Sequence, residues 1–245
     1  MADIFVIRRI ISTLGIIIVS YLLGSISSSI IITRSVSNKA DIRSMGSGNA
    51  GLTNVLRSVG AFAGVLTLIG DFLKGILALW ITQSIFLSPA FIGQMPYAVF
   101  QLGSYLAGTF CLLGHIYPCF FGFKGGKGIL TASAVILMID WRIFCIVISA
   151  FVIVLICSKI VSLASLTAAV LFPIATFCVG FFADYHPSAN TDNGVSLSYL
   201  MLISVISLAI AALVIYKHRA NIERLLNGTE SKLSFKRRGD AGKHP

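Results

Sequence analysis

Charge is scarce in this chain: 11% of its 245 residues are charged, nine Asp and Glu against nineteen Lys and Arg, while 56% are hydrophobic. That balance, with a mean hydropathy of +0.91, departs from soluble domains in the direction of a membrane protein. Several chemistries are missing as well. The five cysteines, Cys111, Cys119, Cys145, Cys157 and Cys178, stand singly, with no C-x-x-C spacing for zinc or redox work, and are read as small buried hydrophobes. The four histidines show no H-E-x-x-H spacing. A Walker A loop is excluded because Phe121 stands where its first glycine belongs and Gly128 where its hydroxyl belongs. There is no internal repeat of the transporter kind and no large soluble domain. No metal, cofactor or nucleic-acid partner is therefore expected.

What the chain does contain is apolar runs long enough to cross about 30 Å of hydrocarbon as helices. Seven spans are expected, over residues 10–33, 61–79, 95–116, 128–139, 143–157, 163–182 and 197–216. The first follows Arg8 and Arg9 but leads into further spans, so it reads as a retained helix and not as a cleaved signal. Residues 128–157 read as two short helices split at Asp140, Trp141 and Arg142, because one helix of that length runs to about 45 Å at ~1.5 Å per residue. The fold class expected is an all-α polytopic bundle: one transmembrane domain over 1–217, then a juxtamembrane helix and basic tail over 218–245.

Orientation follows from lysine and arginine bias in the loops. With seven spans, fifteen basic residues fall on the side that holds the C-terminus and three, Arg8, Arg9 and Arg142, on the other. The expectation is N-out and C-in, with the 183–196 loop outside.

Three polar stretches remain, all on the expected cytoplasmic side. SMGSGNAGLTNVLR, from Ser44, offers Gly46, Gly48 and Gly51 for close turns, donors on Ser47, Asn49, Thr53 and Asn54, and the charge of Arg57. Such a run suits an anion-binding concavity. A flexible polar connector has the same composition. GHIYPCFFGFKGGKG, from Gly114, places Lys124 and Lys127 among Gly125, Gly126 and Gly128 where a helix begins, which reads as an oxyanion cradle or as a positive loop fixing topology. YKHRANIERLLNGTE, from Tyr216, carries His218, Asn221, Arg224 and Leu225 at helical spacing, with Gly228 to end the helix. A juxtamembrane helix binding anionic lipid has the same look. Inside an apolar span, Asp71 and Lys74 are spaced to pair, as a structural ion pair or as part of a transport path. Three clusters of oxyanion donors at one membrane surface imply a phosphate-bearing substrate, handled by a lipid-synthesis enzyme or by a phosphate-recognising transporter.

GSGNAGLTNVLR (46–57), GHIYPCFFGFKGGKGILT (114–131) and HRANIERLLNGTE (218–230), in that order, make the chain resemble the acyl-phosphate-dependent glycerol-3-phosphate acyltransferases of bacteria along nearly its whole length. Leu52 departs from the alanine usual in that family. The H-x-x-x-x-D of acyl-CoA-dependent enzymes is absent, Phe120 and Glu223 standing at the aspartate position after His115 and His218. The resemblance implies acyl transfer from acyl phosphate to sn-glycerol 3-phosphate at the inner membrane. Its partners would be those substrates, membrane lipids and the upstream enzyme that makes acyl phosphate. It implies catalytic roles for Lys124, Arg57, His218 and Asn221. Lys127, Gly125, Gly126, Ser47, Gly48 and Asn49 fall to the donor phosphate, and Thr53, Asn54, Ser162, Arg219 and Glu230 to further substrate contacts. His218 is expected to position substrate first and to act as base second, because the substrate's own phosphate can take the proton.

Overall fold

The structure is a computed structural model describing residues 2–86, 97–188 and 195–233. Its regular elements among these are helical. In chain order they are α1 (Ala2–Ser25), α2 (Ser28–Val36), α3 (Leu52–Ser58), α4 (Ala61–Phe86), α5 (Tyr97–Ile116), α6 (Ile129–Ile139) and α7 (Trp141–Ser158). They continue with α8 (Val161–Val179), which runs through a π-turn (Gly180–Tyr185) into the single turn α9 (His186–Ser188), and end with α10 (Leu197–Lys217) and α11 (Arg219–Leu226).

Within the bilayer the backbone must satisfy its own polar groups, so helices are the form these apolar runs take. Bulky side chains face outward along them: Ile10, Leu14 and Ile18 on α1, Phe62 and Trp80 on α4, Ile153 and Ile156 on α7, Val205 and Leu208 on α10. On a soluble protein such a belt would be an aggregation surface; against acyl chains it is the matching solvent. The inner core gathers Tyr105, Cys111, Leu112, Val135, Phe172, Leu200 and Val214 from different helices. Small residues bring the helices close. A Cβ on Gly24 of α1 would strike the Cys111 backbone of α5, and one on Gly114 would strike Tyr21 O.

Against the seven spans expected, five helical stretches among the described residues are both long and apolar enough to cross a membrane: Val6–Val36, Ala61–Phe86, Trp141–Ser158, Val161–Tyr185 and Leu197–Lys217. The α5 helix is a 20-residue apolar helix whose expected first residues lie outside the described ones. The α6 helix has 11 residues, roughly 16 Å at ~1.5 Å each, short of the hydrocarbon core. The expected split of 128–157 is present: Asp140 is extended, ends α6 and caps α7 by accepting from Arg142 N at 2.8 Å. Arg142 also reaches Asp184 through both terminal nitrogens at 3.0 Å, tying that turn to the end of α8. The first span is not one helix. It breaks between Ser25 and Ser28, and the freed carbonyls of Gly24 and Ile26 accept from Lys74 Nζ at 3.1 and 2.8 Å.

Candidate active site

The connections that carry the polar motifs converge at one end of the bundle. Arg43 donates to Phe121 O at 2.7 Å, joining the first motif loop to the second. Lys127 Nζ donates to Asn221 Oδ1, joining the second to the third. Leu233 N donates to Lys159 O at 2.7 Å, and Ser162 Oγ to Glu230 Oε1 at 2.9 Å, bringing in the turn between α7 and α8. Enclosed by them is a cavity of about 540 Å³.

Asn54 builds the first wall. Its Nδ2 faces the carbonyls of Ile42, Met45 and Asn49 at 3.1, 2.9 and 3.1 Å, and its Oδ1 accepts from Ser47 N at 3.0 Å. A buried amide satisfied this fully fixes the loop's shape. Gly46, at φ +52, is needed where the loop passes Asn54, because a Cβ there would collide with Asn54 Oδ1 and Ser58 Oγ. Asp41 anchors the start of the loop. Hydrogen bonds from Arg43 hold its carboxyl well below the usual carboxylate range, although burial pushes the other way.

In the second loop, Gly125 N donates to Ile116 O at 3.1 Å and Gly126 N to His115 O at 3.3 Å. The expectation that these two amides face an oxyanion is therefore corrected: they close the end of α5. A Cβ on Gly125 would strike His115 O, and one on Gly126 would strike Ala50 O and His115 Nε2. These glycines are where two loops and a helix end press together. The sequence LysGlyGlyLys also splits its cations. Lys124 is exposed and does not border the cavity, whereas Lys127 does. Gly48 lies outside the lining too, its amide donating to Met45 O at 2.9 Å.

The third wall is a hydrogen-bonded chain. Asn221, 6% exposed, accepts from Lys127 and donates to Glu230 Oε1 at 2.7 Å. Arg224 Nε donates to Glu230 Oε2 at 2.6 Å. Gly228, at φ +66, lets the chain turn back so that Glu230 meets α11. Burial pushes the Glu230 carboxyl up, but hydrogen bonds from Asn221, Ser162 and Arg224 outweigh it and its pKa is lowered. Burial pulls Lys127 down to about 8, with Arg224 reinforcing the shift and Glu230 opposing it. His218, 2% exposed, has its Nδ1 at 2.8 Å from Val214 O. Nδ1 therefore carries the proton and Nε2 is left as an acceptor. Burial pulls this imidazole down to about 4, so it is neutral near pH 7.

Ten of the fifteen expected site residues border the cavity: Ser47, Asn49, Thr53, Asn54, Arg57, Lys127, Ser162, His218, Asn221 and Glu230. Gly48, Lys124, Gly125, Gly126 and Arg219 do not; Arg219 is exposed, its guanidinium 4.8 Å over the Tyr216 ring. The lining also includes Asp71, His115, Arg224 and Ser165, to which the sequence reading gave no site role. Arg224 was visible as a helical-face residue, and Asp71 as half of an intramembrane pair. His115 carried no signal of its own. Lys74 sits 3.0 Å from Asp71 Oδ1 and 2.8 Å from His115 Nδ1, and bonds the carbonyls at the α1–α2 break, so this pair is built into the packing. Among the described residues no group of three or more His, Cys, Asp or Glu converges to hold a metal.

A second, apolar cavity of about 110 Å³ lies between α6, α7, α8 and α10. It shares Ile129, Leu130, Phe151 and Ser165 with the polar one, so the two are contiguous. Arg57, Lys127 and Arg224 give the polar chamber a cationic lining, and the groove beside it is apolar.

These features define an integral membrane protein that handles phosphorylated amphiphiles at one end of a helical bundle. The chain belongs to the glycerol-3-phosphate acyltransferase family, which matches residues 14–228. It is 38% identical over 226 residues to the glycerol-3-phosphate acyltransferase of Syntrophomonas wolfei, covering 91% of this chain and 97% of that one. To the Clostridioides difficile glycerol-3-phosphate acyltransferase it is 37% identical over 229 residues, 94% and 99% covered. Its fold is similar to crystal structures of PlsY (YgiH), an integral membrane glycerol 3-phosphate acyltransferase. The glycerol 3-phosphate form matches with a TM-score of 0.69 at 34% identity, and the lysophosphatidic acid form with 0.70 at 33%; each comparison covers 91% of this chain and 96% of the other.

Proposed function

We propose that this protein transfers a fatty acyl group from acyl phosphate to the 1-hydroxyl of sn-glycerol 3-phosphate, giving 1-acyl-sn-glycerol 3-phosphate and inorganic phosphate. The observation that carries this reading is the contiguity of a chamber bordered by Arg57, Lys127 and Arg224 with an apolar groove, through Ile129, Leu130, Phe151 and Ser165. Both phosphates lie among the cations, and the acyl chain lies in the groove. The 1-hydroxyl oxygen bonds to the acyl carbon while the bond from that carbon to the phosphate oxygen breaks. The hydroxyl proton ends on a phosphate. His218 accepts the hydroxyl's hydrogen bond through Nε2 and orients it, but an imidazole with a pKa pulled to about 4 is a weak base. Lys127, held by Asn221 at the cavity, carries the cationic role expected of Lys124. Charge developing on the carbonyl oxygen and the departing phosphate is stabilised by donors already in place. Glu230 holds Asn221, Ser162 and Arg224 in position through its two oxygens.

We further propose that the bundle crosses the bacterial inner membrane seven times, N-out and C-in, with the chamber on the cytoplasmic side. Lys127 and Lys159 are both bonded to the 218–233 segment, so α6 leaves that end and α7 returns to it. Together with α5, this adds two crossings to the five long apolar stretches. The basic residues gathered at the chamber end favour the cytoplasm. An enzyme that makes acyl phosphate is the upstream partner this reading requires.

The test is donor choice. Purified protein in detergent or lipid is given glycerol 3-phosphate with either acyl phosphate or acyl-CoA. Lysophosphatidic acid forming from acyl phosphate is the expected result; turnover with acyl-CoA alone would reject the donor.

A further inference from the structure

Asp71 and His115, at the cavity's inner wall, and Lys74, in contact with both, are 2%, 5% and 4% exposed. Lys74 has three N–H donors, and three acceptors take them: Gly24 O, Ile26 O and His115 Nδ1. Two consequences follow. First, because Nδ1 accepts from an ammonium, the His115 ring proton is on Nε2. Among the described residues Nε2 has no hydrogen-bond partner, and His115 borders the cavity beside Gly126. Second, Asp71 Oδ1 is held at 3.0 Å from Lys74 by charge but receives no hydrogen bond. Asp71 Oδ2 likewise has no hydrogen-bond partner among the described residues, and Asp71 borders the same cavity. The two side chains are neighbours, His115 Nδ1 lying 3.7 Å from Asp71 Oδ1, and both border the cavity.

Polar atoms left without a protein partner at a cavity wall are open to a ligand, and Asp71 Oδ1 behind them is buried without a hydrogen bond. The ligand chemistry that meets both is a neutral hydroxyl, which accepts from His115 and donates to Asp71. A phosphate dianion would be repelled by the carboxylate. Resting on the acyltransfer reading, we propose that Asp71 and His115 read the 2-hydroxyl of glycerol 3-phosphate and so determine acceptor specificity, with Lys74 as the positioning residue that fixes the His115 tautomer. The 1-hydroxyl is excluded from this position because it must give up its proton and reach the acyl carbon beside the apolar groove. A hydroxyl held by both a donor and an acceptor is fixed in place and not released.

Propane-1,3-diol monophosphate keeps the phosphate and a primary hydroxyl but lacks the 2-hydroxyl, so it isolates the contact. Sites built to bond a substrate hydroxyl strongly reject analogues without it, and the wild-type protein should prefer glycerol 3-phosphate by at least about 10²-fold in kcat/KM. In H115N the asparagine carbonyl still accepts from Lys74 at the Nδ1 position, but the Nε2 donor is gone. The preference should fall to within about tenfold in folded H115N. H115Q, which places a donor near Nε2, should keep most of the preference. Equal use of both acceptors by the wild-type protein would overturn the inference with the functional reading intact. So would an unchanged preference in folded H115N. Acyl transfer from acyl phosphate to neither acceptor would reject the functional reading, and this inference with it.

Discussion

At the residue scale the chamber depends on protonation states that burial sets. In the proposed reading Lys127 must be cationic to hold phosphate, and burial leaves it a pKa of about 8. It is charged below that pH and loses its charge as pH rises through it. In the free enzyme, kcat/KM for glycerol 3-phosphate should therefore fall above about pH 8, approaching tenfold per pH unit. Lys127→Arg should remove that alkaline limb, because guanidinium stays charged there, although its fork fits Asn221 differently and lowers the plateau. A limb unchanged in this variant would place the titration elsewhere. His218 is neutral throughout the working range, its pKa having been pulled to about 4, so it should not contribute a limb near neutrality. Much of this was legible in the sequence: Arg57, His218, Asn221 and Glu230 all reach the cavity from motifs read as oxyanion donors. The choice between Lys124 and Lys127 was not, because spacing in a loop does not say which side chain turns inward.

At the element scale, short loops are held by glycines that serve packing more than ligand. Sequence composition marked Gly125 and Gly126 as special but gave the wrong reason. A cradle and a crowded turn need the same missing Cβ, and only their hydrogen-bond partners, His115 O and Ile116 O, separate the two. Gly126→Ala should therefore lower the melting temperature in detergent, through an overpacking cost of about 1–3 kcal/mol, before it changes chemistry. Gly15→Ala, at a helical position with nothing within 4 Å of the added carbon, should be neutral or slightly stabilising. Normal stability of the Gly126 variant with lost turnover would instead restore the cradle. The split of 128–157 at Asp140 was legible because a single helix overruns the bilayer. The break in the first span was not: Ile26 and its serine neighbours look helical until Lys74, 48 positions later, takes the carbonyl.

For the whole molecule, charge bias and contact topology make the same claim about sidedness. The chamber end carries Arg43, Arg57, Lys127, Lys159 and the 217–224 basic residues, while Arg142 lies at the far end with Asp140 and Asp184. In a protein cleared of its native cysteines, a cysteine placed at Gly228 should react with an impermeant label only from the cytoplasmic face. One placed at Trp141 should react only from outside. Reaction of both from the same face would contradict seven crossings. An all-helical membrane bundle was legible from hydropathy. The sequence reading counted seven spans, whereas five stretches among the described residues reach crossing length and the 11 residues of α6 fall short of it.

The central claim is that one chamber joins two phosphate-bearing substrates and releases one phosphate for each acyl group moved. It is tested most directly by following inorganic phosphate and lysophosphatidic acid together, with purified protein, acyl phosphate and sn-glycerol 3-phosphate. The two products should appear in equal amounts, many per enzyme molecule, and neither should appear above background when glycerol 3-phosphate is left out. Phosphate released at the same rate without the acceptor, or glycerol 3-phosphate consumed with no acylated product, would contradict it.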